Sequence, residues 1–359
     1  MRYHMLVIHC REHGLISVCS AYPAVRQHHG TGYTSDMNMI EVDQISKAFG
    51  QLKAVDSVSF NVPQGELFAF LGPNGAGKTT TINMLCTLLK PTGGRATVNG
   101  YDVATQRKEV RNSIGLVFQD PTLDEYLTAE QNLRFHAYAY RVPRAVTEKR
   151  ISELMALVEL SDRRKSRVRT FSGGMKRRLE IARGLLHNPR VLFLDEPTLG
   201  LDPQTRRHIW DHILELRQQH GLTIFLTTHY MDEAEVADRI GIIDQGHIIA
   251  LDTPNRLKDG LGGDVVTLQA QDNVAAVAEL VEKYGVEPAI EDGSISFSVS
   301  KGETFLPRLC GSFESPLTSI GVHRPTLDDV FLKLTGHAIR EQEADPMASV
   351  RMMHRGGGH

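Results

Sequence analysis

A run of small residues surrounds one lysine in the first quarter of the chain. Residues 72–79 read Gly-Pro-Asn-Gly-Ala-Gly-Lys-Thr, and the glycines allow the backbone to wrap closely around an anion. Backbone N–H groups in such a loop point at phosphate oxygens, and a following helix adds its partially positive N-terminus. Lys78 would then reach the β- and γ-phosphates of a nucleotide, and Thr79 would offer a hydroxyl to Mg²⁺. The predicted nucleotide contacts are Gly72, Pro73, Asn74, Gly75, Ala76, Gly77, Lys78, Thr79 and Thr80.

Two adjacent carboxylates, Asp195 and Glu196, follow the apolar run of residues 191–194. Such a run is typical of a buried strand, which would deliver both side chains to the carboxyl edge of a sheet, where ligands bind in open α/β folds. Asp195 suits the coordination shell of Mg²⁺. Glu196 is free to orient or deprotonate a water molecule beside a γ-phosphate. The pair therefore predicts hydrolytic chemistry.

The elements around these residues favour an α/β fold. Residues 67–71 are wholly apolar, as a buried parallel strand requires, and residues 80–85 resume with helical spacing after the glycines. Between residue 119 and residue 171 the pattern changes from short apolar runs to helical periodicity. The sequence thus predicts a parallel sheet that carries the loop and the carboxylates, interrupted by a helical insertion.

Together, these motifs resemble the ATP-binding subunits of ABC transporters, and the resemblance covers about residues 39–260. It implies a P-loop NTPase (RecA-like) ABC ATPase core with an inserted helical subdomain, and ATP and Mg²⁺ as cofactors. By resemblance, Phe49 stacks on adenine, and Gln119 contacts Mg²⁺ and the attacking water. His229, after Leu226-Thr227-Thr228, matches the switch histidine. The implied catalytic residues are Glu196, His229 and Gln119, and the implied metal ligands are Thr79, Gln119 and Asp195.

Residues 171–175, Phe-Ser-Gly-Gly-Met, match the family's signature segment, and Asp202 matches the loop that follows at the dimer interface. The commonest signature begins with leucine and ends in glutamine, so this chain departs from it at Phe171 and Met175. Ser172, Gly173 and Gly174 are intact and are expected to contact ATP. In the family, this segment faces the phosphate loop of a second subunit. The chain contains one of each and is therefore expected to form a head-to-tail homodimer.

The sequence also predicts how the chain is divided. Residues 1–38 are expected to be an unstructured or mis-assigned extension, and residues 39–262 the nucleotide-binding domain, with its helical subdomain at about 121–185. Residues 263–336 show a β-α-β-β-α-β pattern, which predicts a small α+β C-terminal domain with a hairpin at Asp292-Gly293. Residues 337–359 are interpreted as a flexible tail.

Composition bears on the partners. A formal net charge of −3 gives no electrostatic case for nucleic acid, and residues 176–178, Lys-Arg-Arg, are interpreted as a solvated helix face. No stretch approaches the ~18–20 apolar residues of a membrane span, so a polytopic permease in another chain is expected. The surface near Gln119 and Tyr126 is the expected docking site for this permease. The protein is expected at the cytoplasmic face of the membrane.

The last segment, residues 324–336, resembles the C-terminal segment of daunorubicin-resistance exporters. This resemblance favours a multidrug exporter subunit whose cargo is a hydrophobic, drug-like compound. Two alternatives stay open. One is a soluble ABC-type ATPase that acts on ribosomes or DNA, although such relatives generally carry paired cassettes or long coiled coils. The other is an exporter subunit for a lipid, a polysaccharide or an ion.

Overall fold

The structure, a computed structural model, describes residues 37–291 and 293–336. Its strands are β1 (Asn38–Phe49), β2 (Leu52–Pro63), β3 (Leu67–Leu71), β4 (Gly93–Val98), β5 (Tyr101–Asp102), β6 (Ile114–Val117), β7 (Val191–Asp195), β8 (Thr223–Thr228), β9 (Arg239–Asp244), β10 (His247–Asp252), β11 (Asp264–Ala270), β12 (Ala289–Glu291), β13 (Ser294–Val299) and β14 (Leu317–His323). Its α-helices are α1 (Lys78–Leu85), α2 (Arg107–Ser113), α3 (Ala129–Ala139), α4 (Arg144–Leu157), α5 (Gly173–Leu185), α6 (Pro203–His220), α7 (Met231–Ala234), α8 (Pro254–Asp259), α9 (Asn273–Glu279), α10 (Gly302–Ser312) and α11 (Leu327–Thr335).

The central sheet has the order β10-β9-β3-β8-β7-β6, and only β10 runs antiparallel to its neighbour. Every residue of β3, β7 and β8 is buried, as expected for strands covered on both faces. The register pairs Leu71 with Thr228 and Asp195 with Thr227. The carboxyl ends of these three strands therefore meet at one edge, and so do the loops that follow them.

A smaller antiparallel sheet, β2-β1-β4-β5, covers one face of the central sheet. Aromatic side chains fill the space between them: the rings of Phe60 and Phe68 stack at 5.3 Å, and those of Phe68 and Phe225 at 5.5 Å. Offset stacking of this kind adds to the free energy gained by burial. Strand β1 begins at Asn38, one residue before the predicted start of the nucleotide-binding domain at residue 39, and residues 1–36 lie outside the described chain.

Helices α3, α4 and α5 pack on the opposite face, and their buried apolar residues share one cluster with strands β3, β6 and β7. Helix α3 begins at a reciprocal cap in which the Thr128 side chain and the Gln131 side chain satisfy each other's backbone N–H groups. Not every apolar residue of the predicted helical pattern is internal, because Phe135 is 70% exposed.

The third sheet, β12-β13-β11-β14, is antiparallel and packs with α9 and α10 around a separate apolar cluster. Glu291 pairs with Ser294 across the β12–β13 hairpin, and Asp292 of the predicted turn lies outside the described residues. Helix α11 lies within the predicted C-terminal domain, residues 263–336, but it packs against the nucleotide-binding domain. Its buried Leu327, Val330 and Phe331 belong to the main apolar cluster, together with residues of the central sheet. The predicted tail, residues 337–359, is also outside the described chain.

Among the described residues, none of the helices combines the length and the apolar character needed to span a lipid bilayer.

Candidate functional site

The phosphate loop (residues 72–79) connects β3 to α1 at the carboxyl edge of the central sheet. Gly77 caps α1 with a φ of 107°, a conformation that side chains rarely adopt. A Cβ atom on Gly72 would lie 2.2 Å from the carbonyl oxygen of Ile243, and one on Gly77 would lie 2.5 Å from that of Ala54. Both glycines are therefore required by the close approach of neighbouring backbone.

Lys78 lies at the centre of the loop and is 4% exposed. Its Nζ donates hydrogen bonds to the carbonyl oxygens of Gly72 at 2.7 Å and Pro73 at 3.1 Å, and it lies 3.2 Å from Glu196 Oε1. Burial lowers the pKa of the Lys78 ammonium, and the charge of Glu196 opposes this shift. The ammonium is thus held inside the loop, where phosphate oxygens would lie.

Asp195 ends β7 and is fixed by two hydroxyl groups. Thr227 Oγ1 donates to Asp195 Oδ1 at 2.5 Å, and Thr79 Oγ1 donates to the same oxygen at 3.2 Å. Burial raises the pKa of the Asp195 carboxyl, with the nearby charge of Glu196 acting in the same direction. The Thr79 hydroxyl and the Asp195 carboxylate are hard oxygen ligands of the kind that Mg²⁺ prefers.

Glu196 follows with a φ of 45°, an uncommon conformation for a residue that carries a side chain. Its Oε2 lies 3.3 Å from His229 Nδ1 and 3.5 Å from Gln119 Nε2, and its other oxygen faces Lys78. Nδ1 of His229 and Oε2 do not meet the geometry of a hydrogen bond, so this is a close polar contact rather than a well-formed hydrogen bond.

Burial acts to raise the pKa of Glu196, but His229 and Lys78 outweigh it and hold the pKa below its ordinary value. The carboxylate is therefore ionised at neutral pH, as a base must be to accept a proton from water. The structure brings Lys78, Gln119, Glu196 and His229 into one cluster, although they come from four separate segments of the chain.

Other predicted site residues lie on the surface. Ser172 caps α5 by accepting a hydrogen bond from Met175 N at 3.3 Å, and Asp202 caps α6 by accepting from the N–H groups of Gln204 and Thr205. Both are exposed, and within the described residues no hydrogen bond or ion pair joins either to the phosphate loop. The ring of Phe49 is also exposed, with Lys47 Nζ 5.1 Å from its centroid. Thr80 lies half-buried in the first turn of α1.

The signature segment (residues 171–175) packs directly against the start of α6. A Cβ atom on Gly174 would lie 2.4 Å from Thr205 Cγ2, whereas one on Gly173 would lie 3.2 Å from Leu201 Cδ2. Phe171 is buried, and Met175 packs against the main apolar cluster. The two positions at which the segment departs from the commonest signature thus serve packing in this chain.

This geometry predicts different effects for two neighbouring glycines. Gly174→Ala should lower the free energy of unfolding by about 1–3 kcal/mol, because the added methyl group overlaps Thr205. Gly173→Ala is the matched control and should cost clearly less. Adding Thr205→Ser removes Cγ2 and should restore stability to Gly174→Ala. Urea unfolding of the nucleotide-free protein measures these differences, and equal losses for the two glycine variants would contradict the packing argument.

Arg177 is a functional candidate that the sequence interpretation missed, since it was assigned to a solvated face. It is 6% exposed, and its Nη2 donates to the carbonyl oxygens of Asp195 and Glu196, both at 3.1 Å. Further hydrogen bonds reach the carbonyl oxygens of Pro197 and Phe118. Arg177 thus ties the signature helix α5 to the backbone on which Glu196 and Gln119 lie. Its helical spacing of three from Gly174 and four from Ile181, both buried, is the signal that could have revealed it.

Known proteins resemble this chain over most of its length. Residues 55–199 match the family model described as ABC transporter. The linearmycin resistance ATP-binding protein of Bacillus subtilis (strain 168) is 38% identical over 312 residues, which cover 84% of this chain and 100% of that protein. The daunorubicin/doxorubicin resistance ATP-binding protein of Streptomyces peucetius is 38% identical over 328 residues, covering 88% of this chain and 98% of that protein.

Solved structures match the larger part of the fold. The structure of an ATP-binding subunit of an ABC transporter aligns with a TM-score of 0.57 at 33% identity, over 62% of this chain and 93% of that one. A dimeric, post-hydrolysis ATP-binding cassette bound to ADP and Pi aligns with a TM-score of 0.55 at 28% identity, over 60% of this chain and 98% of that one. The predicted fold class is therefore confirmed.

Proposed function

Because the chain belongs to the ABC transporter family of ATP-binding proteins, we propose that it hydrolyses ATP to energise the export of a hydrophobic, drug-like compound. The observation that carries the hydrolytic part is the placement of Glu196 between Lys78 and His229 at the end of β7. The resistance proteins that share 38% identity with most of the chain support the kind of cargo.

The residues present fit ATP with Mg²⁺. Thr79 Oγ1 and Asp195 Oδ1 lie 3.2 Å apart at the edge of the phosphate loop, and with the side-chain oxygen of Gln119 they would hold the cation. Bound Mg²⁺ would neutralise part of the negative charge on the β- and γ-phosphates. Lys78 would exchange its loop carbonyl oxygens for phosphate oxygens. Phe49, whose ring is exposed, would stack on the adenine base.

Glu196 would orient the attacking water and accept its proton. The barrier falls because this carboxylate is already ionised and fixed in place, so that little rearrangement is needed in the transition state. His229 and Gln119 both approach Oε2 and would set the direction in which it faces the water. Glu196 would therefore position the water and accept its proton, and His229 and Gln119 would align Glu196.

A second copy of the chain would complete each ATP site. Ser172, Gly173 and Asp202 are exposed on the surface and do not contact the chain's own phosphate loop through the described hydrogen bonds. In a head-to-tail homodimer they would face the γ-phosphate held by the partner, with the N-terminus of α5 favouring its negative charge. The dimeric cassette bound to ADP and Pi, to which the chain is similar, supports this arrangement.

A polytopic permease encoded by another chain would provide the transport pathway, with this protein bound to it at the cytoplasmic face of the membrane. The helical segment carries exposed aromatic side chains that suit such a contact: Tyr126 is 77% exposed, Phe135 70% and Tyr138 82%. Exposed apolar groups of this size mark interaction sites when they occur together. Tyr126 lies beyond Gln119 in the chain, so docking there would connect the permease to the nucleotide site.

Affinity purification from detergent-solubilised membranes tests this assignment. The wild-type chain should recover a polytopic membrane protein, and cells that lack the chain should become sensitive to its cargo. The double variant Tyr126→Ser/Phe135→Ser should lose the membrane partner. Val274→Ser is the matched control, because Val274 is 79% exposed but lies on α9 of the small domain. Recovery of ribosomes or DNA-repair proteins without any membrane protein would favour the soluble alternative.

A further inference from the structure

Glu233 is a buried carboxylate to which the proposed chemistry assigns no role. It lies on α7 and is 2% exposed. Each of its oxygens accepts a hydrogen bond from a buried threonine: Oε1 from Thr198 Oγ1, and Oε2 from Thr228 Oγ1 at 2.6 Å. Burial raises the pKa of this carboxyl, while the two hydroxyl groups, the Trp210 side chain and the charge of Arg206 act against the shift. Neither oxygen is paired with a cation within the described ion pairs.

The two threonines come from the two segments that carry the catalytic side chains. Thr198 is two residues beyond Glu196, and Thr228 immediately precedes His229. Thr228 Oγ1 also accepts a hydrogen bond from Tyr230 N at 2.9 Å, which fixes the backbone on the far side of the histidine. Glu233 therefore links the segment that follows β7, which carries Glu196, to the end of β8, which precedes His229.

A second set of contacts holds the same histidine from the side of α6. The ring of Tyr230 lies 4.1 Å from the ring of His229, and the Arg206 guanidinium lies 3.9 Å from the Tyr230 ring. Arg206 is on the helix that Asp202 caps. The charge of Arg206 also lowers the pKa of Glu233. The segment around His229 is thus held on two sides, by the carboxylate bridge and by the aromatic stack.

We propose that Glu233 is a positioning residue, which fixes Glu196 relative to His229 by holding Thr198 and Thr228. A buried carboxylate is a costly way to join two strands, and an apolar side chain of similar volume would pack there without that penalty. What the carboxylate adds is two directed contacts, one to each catalytic segment. This inference rests on the proposed role of Glu196 in hydrolysis.

The test compares variants of the full-length chain by steady-state ATPase kinetics. Glu233→Leu keeps the volume but loses both contacts, so kcat should fall about 10- to 100-fold, the effect of a small misplacement of catalytic groups. The KM for ATP should change less than about threefold, because the phosphate loop is untouched. Glu233→Gln can accept from one hydroxyl and donate to the other, and it should recover most of the lost kcat. Glu235→Leu is the control, because Glu235 is exposed at the C-terminal end of α7 and its described partner is Lys258.

Thr198→Val and Thr228→Val extend the test if Glu233→Leu fails to fold. Each removes the contact to Glu233 at nearly constant volume, and each should lower kcat while leaving KM near its wild-type value. Thr228→Val also removes the acceptor of the Tyr230 N–H, so Thr198→Val is the cleaner of the two. Combined with Glu233→Leu, Thr198→Val should add little further loss, since the shared contact is already gone. The proposal is overturned if the threonine variants keep wild-type kcat, or if kcat, KM and thermal stability change together. Full activity of Glu196→Gln would instead contradict the proposed function.

Discussion

Glu196→Gln should leave ATP binding intact and slow hydrolysis by about 10²–10⁴-fold, the usual contribution of a positioned base. The amide retains the size of the carboxylate but cannot accept a proton from water. Lys78 keeps its hydrogen bonds to the carbonyl oxygens of Gly72 and Pro73, so the loop should keep its shape. The variant should accumulate as an ATP-bound dimer, which size-exclusion chromatography with and without ATP would detect.

Glu215→Gln is a matched control for this substitution, because Glu215 is an exposed carboxylate on α6 whose partner is Gln219. It should hydrolyse ATP at the wild-type rate and should not form an ATP-trapped dimer. Single-turnover measurements separate the chemical step from product release. Wild-type hydrolysis by the Glu196 variant would show that the base is elsewhere.

Lys78→Ala should weaken ATP binding itself, by about 10- to 100-fold, which corresponds to the loss of a charged hydrogen bond worth about 1.5–3 kcal/mol. It should also lower the stability of the nucleotide-free chain. The substitution leaves the buried Glu196 carboxylate without the ammonium that lies 3.2 Å away, and breaking a buried pair typically costs about 3–5 kcal/mol. Equilibrium binding of a fluorescent ATP analogue and thermal unfolding measure the two effects.

The double variant Lys78→Ala/Glu196→Gln distinguishes the two consequences. Removing the charge of Glu196 should recover part of the melting temperature but none of the affinity for ATP, since of these two side chains only Lys78 would contact the phosphates. Lys149→Ala, at a lysine on α4 whose side chain is 80% exposed, serves as the control. Wild-type affinity in Lys78→Ala would contradict the assignment of the phosphate loop.

The phosphate loop and the β7 carboxylates could be predicted from the sequence because each depends on a continuous segment. A short apolar run, a glycine turn and a helix are local features, and the carboxyl ends of parallel strands necessarily share an edge. This is why residues as distant as Lys78 and Glu196 could be placed together, and the structure puts them 3.2 Å apart. The ABC ATPase fold class is confirmed by the relatives and the solved structures.

Arg177 and Glu233 could not be identified in the same way. A charged residue in a helical pattern normally faces solvent. Most partners of buried Arg177 are carbonyl oxygens, which every residue possesses, and the remaining one is the buried Glu180 carboxylate, 3.1 Å away on the same helix. Glu233 depends on Thr198 and Thr228, which meet only when the sheet has formed. Phe135 lies on a helix, as the pattern predicts, but it is exposed, because helical spacing alone does not show which apolar residues face the core.

Helix α11 connects the small C-terminal domain back to the nucleotide-binding domain. The chain leaves the central sheet through β10 and α8, builds the third sheet, and returns so that Leu327, Val330 and Phe331 complete the main apolar cluster. The third sheet is therefore an insertion that is attached to the core at both ends, rather than a terminal domain attached through a single linker. A C-terminal truncation that removes α11 would therefore expose apolar residues of the nucleotide-binding core. An internal excision, with residue 263 rejoined to residue 326, would remove the third sheet and keep α11, although it would also remove the contact of His323 with Asp329.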